Sequence, residues 1–117
     1  MVQILQLYDA PSAIFVRNDM RAIGAIREAQ EFQYRIQFDL SVIGFDNIQF
    51  VSATLPALNT IEQPIQKIAN TAISLFLEKL QSIAQASFEG KRIVFNTSLV
   101  VRDSCRKLAY WRMSLVI

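Results

Sequence analysis

The sequence predicts an α/β domain built on a parallel sheet, and three observations predict it. Short apolar runs at 12–16 and 40–45 have the character of buried strands. Segments with apolar residues every three to four positions follow each of them, as amphipathic helices require. The resulting order of helix, strand, helix, strand, loop, helix and strand is that of parallel strands joined by right-handed connections.

Taken in order, residues 2–8 mix apolar and polar positions, and Asp9 with Pro11 ends the short helix they predict. Ser12 to Val16, between Pro11 and the polar pair Asn18-Asp19, reads as a buried strand. Asn18 or Asp19 caps a helix in which Ile23, Ile26, Ala29 or Gln30, and Phe32 recur between charged residues. Leu40 to Phe45 is nearly continuously apolar, which predicts a strand covered on both faces, ended by the loop residues Asp46-Asn47. Between Ile48 and Leu58 the pattern weakens around Pro56, with Phe50-Val51 and Leu58 to Ile61 as candidate short strands. Pro64 opens the clearest helical periodicity in the chain, running to about Gln85 through Ile65, Ile73, Phe76, Leu77 and Leu80. Gly90 marks a turn, Arg92 to Phe95 and Leu99 to Arg102 read as further strands, and KLAYWRMSLVI is apolar without a pattern.

Composition narrows the chemistry. With 117 residues, 52% hydrophobic and 19% charged, the chain is one ordinary domain with a modest core rather than a disordered segment. It has no histidine and a single cysteine, Cys105, which excludes a Cys/His zinc site, an intrachain disulfide and any histidine acid/base relay. Gly24, Gly44 and Gly90 lie too far apart for a phosphate-cradling or dinucleotide-binding loop, so no cofactor is expected. No apolar run is long enough to cross a bilayer, and the amino end lacks a secretion signal, which predicts a cytoplasmic protein with no membrane partner. The formal charge is +2, and Arg102, Arg106, Lys107 and Arg112 against Asp103 place +3 of it in the last sixteen residues. The remaining body, at −1, has no footprint for nucleic acid.

In parallel sheets of this kind ligands sit outside the carboxyl ends of the strands, where strand-to-helix loops converge. Asn18-Asp19 and Asp46-Asn47 both fall at that edge. The segments PSAIFVRNDMRAIGAIREAQEF, DLSVIGFDNI, PALNTIEQPIQKIANTAISLFLEKL and SLVVRDSC, in this order, resemble the carboxyl-terminal half of the effector-binding domain of LacI/GalR-family transcriptional regulators. The resemblance implies a truncated Rossmann-like lobe of a type I periplasmic-binding-protein-like sensor over residues 1–105, with 106–117 an unmatched tail. It implies a small sugar or nucleoside-like effector held between two lobes, and no enzymatic activity. The family's helix-turn-helix has no counterpart here, so direct DNA binding is not expected.

Position by position, the resemblance makes Asn18 of the "ND" motif a hydrogen-bonding partner for ligand hydroxyls and Asp46 of "GFD" their acceptor. Gln63 of "IEQP" corresponds to a residue at the interlobe crossing, and Ile65 walls the cleft. Amide and carboxylate side chains suit a polyol, the first donating and accepting, the second accepting from two adjacent hydroxyls. Each residue also has a plainer role open to it: Asn18 and Asp19 as helix caps, Asp46 as a turn residue, Gln63 as the polar residue before a helix-opening proline, and Ile65, with Phe76 and the rest of their stripe, as core. Family members pair through the same lobe, which maps to Ile23, Ile26, Arg27, Phe50, Val51 and Leu55 and implies a homo-oligomer. The long helix from Pro64 would lose its usual partner, the first lobe, and must fold back onto local strands or pair with a second chain.

Three positions depart from the family pattern. Arg17 replaces a small residue before "ND", filling the cleft or favouring an anionic ligand. Gln33 replaces a helix-ending glycine and Gln37 a turn proline, which predicts a loosely defined loop before the second strand. Two rival functions remain: a module that dimerises with full-length relatives and modulates them, or a vestigial fragment without activity. A small hydrolase pairing Asp46 with Asp19 has only those two carboxylates in its favour.

Overall fold

The computed structural model describes residues 10–81 and 90–107. They form two compact units, one of residues up to Glu62 and from Ser98 onward, the other of Gln63–Thr97. The helix expected over residues 2–8 and the tail beyond Lys107 lie outside the described residues.

The first unit is a four-stranded sheet in the order β1 (Ala13–Phe15), β2 (Ser41–Asp46), β3 (Asn59–Glu62), β4 (Ser98–Val100), with α1 (Asp19–Glu31) between β1 and β2. The first three strands pair in parallel, setting Ile14 opposite Val42 and Gly44 opposite Thr60. β4 runs antiparallel to β3, with Ser98 opposite Glu62, so the expectation of parallel strands fails at the last one. The chain leaves at the end of β3 and returns beside the strand it left; without a crossover, the returning strand has to run the other way.

Helix α1 begins where Asn18, in extended backbone, accepts a hydrogen bond from the Arg21 N–H on its side-chain oxygen at 2.9 Å. Its buried face is Asp19, Ala22, Ile26 and Ala29, at helical spacing. Ala22, Ile26 and Ala29 share one core with Ile14, Leu40, Val42, Val51 and Leu58. β2 is therefore buried toward α1, while Ile43 and Phe45 on its other face are only half-buried, against the expectation of cover on both sides. There Phe45 meets Phe15 edge to face, ring centres 6.4 Å apart.

The loop from α1 to β2 is more ordered than its missing glycine and proline predict. Gln33 adopts φ 65°, its N–H bonds the Gln30 carbonyl and the Tyr34 N–H bonds Ala29, the two bonds of a Schellman helix end. Gln37 stands at φ 79°, which a proline ring forbids, and its N–H donates to Leu40 at 2.8 Å. Arg35 grips both carboxylate oxygens of Asp39, at 2.9 and 2.8 Å, and the guanidinium's hydrogen bonds hold that carboxyl well below the usual range. After β2, Phe50-Val51 forms no strand. Residues Gln49–Ala53 curl into a 3-10 turn in which the Ser52 hydroxyl donates to Gln49 and the Thr54 hydroxyl to Val51.

Past β4, Ser104 is fully buried and ties two strands together: its hydroxyl donates to the Val42 carbonyl and accepts from the Asn59 N–H, while its own N–H bonds the Asn59 side chain. Cys105 lies half-buried beside it, its thiol 3.2 Å from the Val42 carbonyl and its pKa raised by burial.

The second unit holds α2 (Ile65–Gln81), opened by Pro64 and described to Gln81; the rest of its expected span lies outside the described residues. Among the described residues no side chain of α2 is buried, and Ile73, Phe76 and Leu77 are more than half exposed. Glu78 and Lys91 form an ion pair at 2.9 Å. Arg92 to Phe95 forms no strand, and the strand expected from Leu99 begins one residue earlier.

Two glycines separate packing from propensity. A Cβ at Gly44 would collide with the Asp19 carboxylate and stand 3.0 Å from Leu58, whereas at Gly24 it would meet nothing within 4 Å. Gly44→Ala should destabilise the lobe by about 2 kcal/mol through overpacking, and Gly24→Ala should stabilise it by roughly 0.5–1 kcal/mol as a helix-interior glycine removed. Urea unfolding of both variants checks the opposite signs. Gln33→Gly should also stabilise, by about 0.5–1 kcal/mol, because glycine carries no left-handed penalty at the end of α1. Thermal melting should show this as a rise of a few degrees; an unchanged or lowered midpoint would contradict it.

Candidate functional site

Parallel pairing of β1 and β2 brings the chain segments after both strands to one edge of the sheet. Asn18 lies three residues past the end of β1, and Asp46 is the last residue of β2. The two residues on which the expected pocket depends therefore share the carboxyl rim, and both are half-buried. Their neighbours decide what each can offer.

Asn18 is the helix cap, so one lone pair of its side-chain oxygen is taken by Arg21. Its amide nitrogen contributes two N–H donors, which makes it chiefly a donor at the rim. Asp19, expected as an alternative cap, does something else. It is fully buried, one oxygen accepting from the Thr60 hydroxyl at 2.6 Å and the other from the Ile48 N–H at 2.9 Å. Both oxygens of this carboxylate are thus committed to partners within the fold.

Asp46 has φ 110°, where side chains other than glycine are strained, and Asn47 follows at φ 54°, a left-handed value that asparagine tolerates. Asn47 is tied at three points. Its N–H donates to Thr60 at 3.3 Å, its amide nitrogen donates to Glu62 at 3.2 Å, and its amide oxygen accepts from Arg102 at 2.8 Å. Arg102 also donates to the Leu58 carbonyl at 2.8 Å.

Thr60 and Glu62 received no role from sequence reasoning, Asn47 was placed only in the polar cluster at the sheet edge, and Arg102 only among the basic residues near the carboxyl end. For Asn47 and Arg102 the one further signal was adjacency: Asn47 follows Asp46 in "GFDN" and Arg102 closes "SLVVR".

Gln63 and Ile65 belong to the second unit, so the rim consists of Asn18 and Asp46. Ile65 opens α2, 61% exposed, and its N–H bonds the Gln63 carbonyl at 2.8 Å. Of the residues expected at a dimer interface, Ile26 and Val51 are core residues, 4% and 0% exposed, and offer no surface. Phe50 and Leu55 are 71% and 87% exposed, Arg27 is exposed and Ile23 half-buried.

This lobe, mostly parallel with polar side chains at its carboxyl rim, has clear relatives. Residues 2–105 match the periplasmic binding protein-like domain family. The chain is 34% identical over 106 residues to the HTH-type transcriptional repressor PurR of Aliivibrio salmonicida, covering 91% of this chain and 31% of that protein. It is 38% identical over 109 residues to a probable HTH-type transcriptional repressor, ExuR, of Bacillus subtilis, covering 92% and 32%. Among solved structures, a LacI-family transcriptional regulator from Enterococcus faecium with bound ribose superposes with a TM-score of 0.72 at 31% identity, covering 89% of this chain and 37% of that one. The chain thus spans about a third of the length of the relatives it matches. It belongs to the periplasmic binding protein-like domain family and corresponds to part of the effector-binding domain of LacI-type transcriptional regulators.

Proposed function

We propose that this chain carries one side of a small-molecule effector site, in which Asp46 accepts from vicinal hydroxyls of a sugar or nucleoside-like ligand and Asn18 donates to them. The observation that carries this reading is the strained backbone of Asp46 at the carboxyl rim, on the same edge as Asn18. Strain of this kind persists where the surroundings over-determine it, and it collects at ligand-binding positions. The structural relative from Enterococcus faecium, solved with bound ribose, supports the ligand class. The exposed Arg17 would tolerate an anionic substituent. The role is sensing rather than catalysis, in the cytoplasm where transcriptional regulators act.

Titration of the chain with D-ribose, cellobiose and adenosine, followed by amide-resolved NMR, tests the site. Asp46→Asn keeps the shape and removes the charge; Asn18→Ser keeps an oxygen for the cap and removes the amide donors. Each should weaken binding about tenfold, the value of one to two hydrogen bonds to a charged or amide partner. Unchanged affinity in both variants would remove the assignment.

A second reading, pairing with another copy or with a full-length relative, is favoured by the exposed side chains of Phe50 and Leu55 beside α1. Gln30 on α1 donates to the Leu55 carbonyl at 3.1 Å, which joins the helix and this loop into one surface. Sedimentation of the double variant Phe50→Asp/Leu55→Asp should show a shift toward monomer relative to wild type; identical profiles, with wild type self-associating, would exclude the patch.

A further inference from the structure

We propose that Arg102, Asn47 and Glu62 form a clamp that holds Asp46 in its strained backbone state, which makes Arg102 a positioning residue for the carboxylate at the rim. The proposal rests on the effector reading for what Asp46 does, but not for how Asp46 is held. Arg102 can only donate and the Glu62 carboxylate can only accept, so the amide of Asn47 between them has one orientation that satisfies both. Arg102 is in turn anchored on the Leu58 carbonyl just before β3. The Asn47 N–H is held by Thr60 and the next one, of Ile48, by the buried Asp19 carboxylate. The side-chain ties on the two residues after Asp46 therefore run to β3, to α1 and to the segment just past β4. Asp46 is the joint where the straight strand meets this fixed turn, and the φ of 110° is the result.

The clamp also explains the choice of residues. An aspartate at 47 would set a second carboxylate against Glu62, and a lysine at 102 would lack the fork that reaches the Leu58 carbonyl and the Asn47 amide together. For a polyhydroxylated ligand, the outcome is a carboxylate presented on an immobile backbone, so little ordering remains to be done on binding.

The experiment uses the 15N,13C-labelled full chain. In the wild type, the HN–Hα coupling and Cα shift of Asp46 should report a positive φ. In Arg102→Gln and in Asn47→Gly, both should move toward values of negative φ, while amides of core residues such as Ile26 and Val42 stay in place. Asn47→Gly guards against a folding artefact, because glycine accepts φ 54° without strain and the turn loses only its clamp. D-ribose should bind both variants roughly tenfold more weakly than wild type, as expected when the support of a binding group is removed. Unchanged Asp46 parameters in both variants would overturn the clamp, and relaxation with undiminished D-ribose affinity would overturn the positioning role. A wild-type chain whose Asn18 and Asp46 amides ignore every ligand in the panel, with Asp46 still relaxing in the variants, would instead sink the effector reading and uphold the clamp.

Discussion

The carboxylate of Asp19 is the interaction on which the rim depends. A fully buried carboxylate costs several kcal/mol unless its lone pairs are used, and here a hydroxyl from β3 and a backbone amide from the loop after β2 use them. Because Asp19 is also the first residue of α1, one side chain sets the helix start, the third strand and the turn beyond the second strand in fixed relation. The absent side chain of Gly44 is the steric condition for this approach. Asn18 and Asp46 then acquire their places as consequences: the first is the residue before the anchor, the second the residue before the turn it holds.

A second polar centre performs the same task at the other end of the strands. Ser104 and Asn59 exchange hydrogen bonds and reach the backbone of β2, so the segment returning after β4 is sewn across two strands by buried polar groups. Among the described residues no buried side-chain nitrogen or oxygen lacks a partner. Satisfied networks of this kind specify register more sharply than an apolar core of equal volume. Among the described residues nine hydrophobic side chains are buried in this lobe, and the polar ties add directional contacts to that apolar core.

How much of this was legible in the sequence follows from the range of each interaction. β1, α1, β2 and β3 were visible because apolar periodicity and local turn chemistry are written within a few neighbouring residues. The shared rim followed from strand order alone. The antiparallel return of β4 was invisible, since it depends on where the chain re-enters after residues 63–97. The ordered end of α1 was misjudged because Gln33 occupies a left-handed position normally given to glycine, and tertiary packing of Tyr34 and Ile36 outweighs the local penalty. The clamp on Asn47 joins residues fifteen and fifty-five positions apart, beyond any spacing rule. Motif resemblance singled out Asp46 as a candidate and left the contacts around it unread.

The pairing of Glu62 with Ser98 has a topological consequence. The point at which the backbone quits the lobe and the point at which it comes back are cross-strand neighbours, so residues 63–97 are an excursion inserted into what would otherwise be an ordinary β-hairpin. Sheet order, register and both polar centres close without them. A tight two-residue turn would be the smallest connection able to join those two strand ends.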